Sequence, residues 1–157
     1  MPNKNSNNLS NTLICNLEQV ARICRLSACH FFEKNKNIDI KFNDFLIIET
    51  LHLNPKIHQR YLAKILSKDT ANLSRDLEKL EKRGLIERFI EIKENRTVKS
   101  IVLSKEGEKL YQEVSKHALN HINKIEEVFS KEEKELFLNY IERLKARIND
   151  TISPFNE

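Results

Sequence analysis

The chain has 157 residues and only two glycines, Gly84 and Gly107. Dinucleotide fingerprints need three glycines within six residues, and phosphate loops and nucleophile elbows need two close together, so those enzyme architectures are excluded. With 39% apolar and 32% charged residues at a net charge of +4, the composition describes one domain with a real core.

The elements follow in order. Residues 1–11 are polar, with asparagine at 3, 5, 7, 8 and 11, and have no apolar core of the kind a secretory signal needs. No apolar run in the chain exceeds the four residues Phe45–Ile48, so no membrane span is expected and the expected address is the cytoplasm. From Leu13 a wide apolar stripe (Leu13, Leu17, Val20, Cys24, Ala28, Phe31) predicts a long helix able to serve two partners. Residues 35–40 break it. A second helix is predicted from Lys41 to Leu53, where Asn54-Pro55 stops it. Two short helical patterns then lie close together: His58–Leu66, with Tyr61, Leu62 and Ile65 inward, and Thr70–Arg83, with Leu73, Leu77 and Leu80 as its stripe. Ser67-Lys-Asp69 supplies capping chemistry between them, and Gly84 stands where a left-handed stop is wanted. This is the pattern of a helix-turn-helix.

After Gly84 the period shortens. Leu85 to Ile92 and Val98 to Leu103 read as two strands of a hairpin about the polar turn Glu94-Asn95-Arg96. Ser104 caps a helix to about Ile125, with Glu106 and Glu108 in its first turn as the dipole prefers. Ser130-Lys-Glu-Glu133 is a capping box for a last helix, whose Leu136, Phe137, Tyr140, Ile141, Leu144 and Ile148 face a partner. The expected fold class is mainly α with a small β-hairpin wing, a winged helix-turn-helix.

Charge is unevenly placed. Residues 56–105 hold 13 Lys/Arg against 7 Asp/Glu, while the rest of the chain is slightly acidic. A basic segment in a near-neutral chain is the footprint of a polyanion partner, because phosphate contacts release counterions; the plain alternative is a solvated surface. On the Thr70–Arg83 helix the face opposite the leucines carries Ala71, Arg75, Glu78 and Lys82, flanked by Asn72, Ser74 and Lys79. Arg75 suits guanine, Asn72 suits adenine, and Thr70 or Ala71 suits a thymine methyl. Lys68, Lys79 and Lys82 suit phosphates. Lys93, Arg96 and Lys99 place a basic wing where a minor groove would attract arginine, and Glu94 is spaced to hold Arg96. The expected partner is double-stranded DNA.

Over Ile38 to Glu113 the sequence resembles the MarR-type winged-helix transcription regulators. The resemblance is carried by Tyr61-Leu-Ala-Lys-Ile-Leu66, by Leu77-Glu-Lys-Leu-Glu-Lys-Arg-Gly-Leu-Ile-Glu-Arg88, by Glu94-Asn-Arg96 with Glu in place of the family's Asp, and by Leu103-Ser-Lys-Glu-Gly107. It implies a homodimer that reads a pseudo-palindromic operator, as repressor or activator, through two winged lobes beneath a helical dimerisation layer. The resulting division is a disordered tail at 1–10, a dimerisation helix at 11–40, the DNA-binding lobe at 41–103, C-terminal dimerisation helices at 104–150 and a frayed tail at 151–157.

The same resemblance implies release from DNA by an oxidant, a small-molecule effector or a metal. Cys15, Cys24 and Cys29 all lie in the first helix, an odd number that argues against a disulfide framework. Cys15, near the helix start where the dipole favours thiolate, is the candidate redox sensor; its position resembles that of the family's hydroperoxide-sensing cysteine, although no tyrosine precedes Tyr61. His117 and His121 share a helical face, and Cys29, His30 or Asp44 could complete a metal set, which gives a metal-responsive alternative. No cofactor and no catalytic set can be nominated, so no enzyme is expected. A winged-helix protein-interaction module is the alternative from another class.

Overall fold

The computed structural model describes residues 9–93 and 96–152, with backbone only at 93, 96, 97 and 152. Helix α1 spans Leu13–Lys34, α2 Phe42–Leu53, α3 Gln59–Ile65, α4 Thr70–Lys82, α5 Lys105–Glu126 and α6 Lys131–Ile152. Strands β1 (Ile57–His58), β2 (Ile86–Lys93) and β3 (Arg96–Leu103) form an antiparallel sheet in the order β1-β3-β2. A helical chain with a small wing is therefore the observed class. The expected irregular ends, 1–10 and 151–157, lie outside the described residues except for Leu9 and Ser10, in a 3-10 turn, and Thr151 and Ile152, in α6.

Local chemistry sets these boundaries. Thr12 caps α1 by accepting from the Cys15 amide at 3.3 Å. Asp69 caps α4, accepting from the Asn72 amide at 2.8 Å. Ser130 and Glu133 form the reciprocal box expected at α6: Glu133 Oε2 accepts from the Ser130 amide at 2.8 Å, and Ser130 Oγ accepts from the Glu133 amide at 3.2 Å. Helix α4 stops as the sequence predicts. Gly84 has φ +70, and the Leu85 and Gly84 amides turn back to the Leu80 and Glu81 carbonyls. The stop of α3 has the same pattern, with the Lys68 and Ser67 amides on Ala63 and Lys64, but its left-handed residue is Ser67 at φ +49.

Five sequence expectations are corrected. Tyr61 and Ile65 do not face inward with the buried Leu62 but are 56% and 42% exposed. The first hairpin strand begins at Ile86, because the Leu85 amide is still turned back to the Leu80 carbonyl in the stop of α4. His58 does not begin a helix: Ile57 and His58 pair with Ile101 and Ser100, so α3 starts at Gln59. The hairpin turn is shorter than Glu94-Asn95-Arg96, because Arg96 already pairs with Lys93, leaving only 94–95 between the strands. Correspondingly, β3 begins at Arg96 rather than Val98.

The chain divides into two compact units, Met1–Lys116 and His117–Glu157. The first holds the core: Ile47, Ile48, Leu62, Leu73, Leu77 and Ile101 are fully buried, and Phe32, Phe45 and Val114 are buried in the same cluster. Ser104 ties the wing to α5. Its hydroxyl donates to the Gly84 carbonyl at 2.6 Å and accepts from the Gly107 amide at 3.0 Å. Gly107 is required by proximity, since a Cβ there would stand 2.0 Å from the Leu85 carbonyl oxygen. In the second unit, Phe129 stacks on Phe137 and Lys134 pairs with Glu126. Among its described α6 residues none is buried.

Candidate nucleic-acid interface

Helix α4 presents the face the sequence assigned to it. Its three leucines are buried, which turns Thr70, Ala71, Asn72, Arg75, Lys79 and Lys82 outward, while Ser74 is half-buried. Lys99 is exposed on β3; the side chains of Lys93 and Arg96 and all of Glu94 lie outside the described residues, as does the expected Glu94–Arg96 pairing.

The hydrogen bonds rank these groups. Asn72 donates its amide to the Asp69 carboxylate, and its Oδ1 lies 3.5 Å from Arg75 Nη1, a weak contact. An adenine would have to displace the Asp69 bond before Asn72 could meet it bidentately. The exposed Arg75 guanidinium needs no such exchange. Bonds from Asn72 hold the Asp69 carboxyl below its ordinary value, so it stays an acceptor at the helix N-terminus.

Lysines are engaged too. Lys68 is half-buried with Nζ 2.8 Å from Asp76, which also takes Lys79 at 3.4 Å. Burial pushes the Asp76 carboxyl up, but Lys68 and Lys79 outweigh it and the carboxyl ends below its ordinary range. Lys68 thus spans the α3–α4 turn. Arg88 forms a two-pronged bond with Glu81, raising the guanidinium and lowering the carboxyl, and so joins β2 to the end of α4. Arg83 bonds the Asp39 carbonyl at 2.6 Å and its carboxylate at 3.1 Å.

Reading cations alone misses these acidic partners. Asp76 is eight residues from Lys68 and Asp39 is 44 from Arg83, separations across turns that helical periodicity does not reveal. Ser100 is visible in the sequence as the polar residue between Val98 and Val102, but strand spacing alone gives it no role.

The sensing candidates are dispersed. Cys15 and Cys29 are half-buried and Cys24 is exposed, all as free thiols. Among the described residues no three His, Cys, Asp or Glu side chains are grouped to hold a metal ion, which leaves the histidine pair without a completed set. No described helix is long and apolar enough to cross a membrane.

Comparison with known proteins agrees with this geometry. Residues 38–94 match the model of the MarR family. An uncharacterized HTH-type transcriptional regulator of Bacillus subtilis (strain 168), YybA, is 25% identical over 113 residues, spanning 72% of this chain and 75% of the relative. Among solved structures, a MarR/EmrR family transcriptional regulator from Acinetobacter sp. ADP1 superposes with TM-score 0.76 at 22% identity, covering 91% of this chain and 99% of that one. The S. aureus MepR–DNA complex gives 0.68 at 20% identity, covering 90% and 99%. The helix-turn-helix and first wing strand thus match the MarR family model, and the chain shares the fold of these structures over nearly their whole length.

Proposed function

We propose that the protein is a sequence-specific DNA-binding transcription regulator that acts as a homodimer on a pseudo-palindromic operator, with repression as its outcome. The observation that carries this reading is α4: a helix with three buried leucines and an outward face of Ala71, Arg75, Glu78, Lys79 and Lys82, next to a hairpin with basic residues on both sides of its turn. Arg75 is the base-reading group, Lys79, Lys82 and Lys99 are phosphate contacts, and Thr70, Ala71, Asn72 and Ser74 line the same approach. Lys93 and Arg96 supply the wing tip, and Lys68 shares itself between Asp76 and the backbone of the DNA. The related MepR is solved on DNA, which supports the same use of the shared fold.

The dimer is supported by apolar side chains left uncovered on the helical ends, including Leu13, Val20 and Leu26 on α1 and Leu136, Phe137 and Tyr140 on α6. Such a dimer carries two reading helices, so selection from random duplexes should return a two-fold symmetric site with half-sites about one helical turn apart. A non-symmetric site, or no enriched sequence, contradicts the proposal. Release by an effector completes the reading, with cytoplasmic DNA as its setting. Cys15, in the first turn of α1, is the oxidant-sensing candidate. Hydroperoxide should free wild type but not Cys15→Ser from the selected duplex, and equal release would exclude it.

A further inference from the structure

Ser100 is fully buried at the centre of β3, on a strand face shared with Val98 and Val102. A buried hydroxyl is costly unless its hydrogen bonds are made. Here both partners come from the flanking strands. Ser100 Oγ donates to Glu91 Oε2 at 2.9 Å, and His58 Nδ1 lies 3.1 Å from the same hydroxyl oxygen. One hydroxyl has one proton; with it directed to Glu91, the oxygen accepts from His58, which assigns the imidazole proton to Nδ1.

The register explains how three strands reach one atom. His58 lies directly opposite Ser100 across β1–β3, and Phe89 lies opposite it across β2–β3. Glu91 is the diagonal neighbour on the same face, within reach of a long side chain. β1 is two residues long and runs directly into α3, whose N-cap residue is His58. So short a ladder is a weak tether for a hairpin of two eight-residue strands. The chain of side-chain bonds adds a second link between the hairpin and the start of the helix-turn-helix, on the opposite side of the sheet from the Arg88–Glu81 bond.

We propose that Glu91, Ser100 and His58 form a positioning relay that fixes the pitch of the β2–β3 wing against the helix-turn-helix, and so sets how much the wing contributes to DNA binding. The relay rests on the DNA-binding reading only for its effect on affinity. Two measurements on the full chain separate the ideas. In free protein, Ser100→Ala and Glu91→Ala should speed hydrogen exchange over 96–103 by about tenfold while leaving α4 unchanged, and Glu91→Gln, which keeps an acceptor oxygen, should restore protection.

On a duplex selected from random sequence, Ser100→Ala and Glu91→Ala should flatten the salt dependence of affinity by about 1 for each phosphate that the wing no longer reaches, with Glu91→Gln close to wild type. Unchanged exchange in Ser100→Ala would overturn the proposal. So would equal acceleration in α4 and β3, which would make Ser100 an ordinary core residue, or identical behaviour of Glu91→Gln and Glu91→Ala. If wild type binds no duplex, the DNA-binding reading fails, and the exchange measurement alone decides the relay.

Discussion

The winged lobe and the α6 end of the chain are both rich in leucine, isoleucine and phenylalanine, but they use them differently. In the lobe Ile47, Leu62, Leu73 and Leu77 are 0% exposed, each covered by neighbouring elements of the same chain. On α6, Phe137 is 45% and Leu138 58% exposed, and on α1 Leu26 is 70% exposed. Hydrophobic content therefore does not measure a region's self-sufficiency; the closure of its apolar surface does. The lobe closes its apolar surface within the chain, whereas the helical ends carry a surface of the kind that marks association.

The strongest test of this contrast is to make the α6 surface unable to associate. Leu136→Glu together with Tyr140→Glu should turn a dimeric wild type into a monomer in sedimentation, with the lobe's thermal transition retained. Affinity for a two-half-site duplex should fall on the order of 100-fold, because the two lobes are no longer linked. A monomeric wild type would break the contrast at once.

Where α5 meets the lobe, the tightest approach should dominate. Gly107→Ala forces a methyl onto the Leu85 carbonyl, and should cost about 3 kcal/mol, lowering Tm by about 2–4 °C for each kcal/mol. An unchanged Tm would show that α5 and the wing leave room for a methyl group.

Smaller effects sharpen the picture at the α3–α4 turn. The Asp76 carboxyl is depressed in the folded state, so its stabilising contribution is present above the ordinary aspartate range and is lost as pH falls through the lower folded value. Asp76→Asn should therefore cost about 1 kcal/mol at neutral pH, yet flatten the acid limb of the stability curve below about pH 4. Urea titrations at several pH values would check both. Ser67→Gly should stabilise by about 0.5 kcal/mol, since glycine adopts the left-handed conformation without a Cβ penalty.

Much of the fold was legible because its signals are local. The Leu73/Leu77/Leu80 stripe, the Ser130–Glu133 box and Gly84 each act within a few residues, and each element forms where those residues place it. The hairpin was legible from the change to strand-like spacing. β1 was not, because two residues have no period and Ile57–His58 becomes a strand only by meeting Ile101 and Ser100. The left-handed turn at Ser67 was hidden for a similar reason, since serine carries no signal for positive φ. At the site, the outward cations of α4 could be read from helical geometry. Their restraint across the turn could not: the bond of Asp76 to Lys68, eight residues away, is fixed by the folded α3–α4 turn.

The central claim is that the outward face of α4 reads DNA, with Arg75 as its specific contact. It is tested most directly by measuring the affinity of wild type and Arg75→Ala for the selected duplex across a range of salt concentrations. Wild-type affinity should fall steeply with salt, and Arg75→Ala should lose about 1–3 kcal/mol together with preference at one base position. Salt-insensitive binding, or an Arg75→Ala variant with unaltered affinity and preference, would contradict the account.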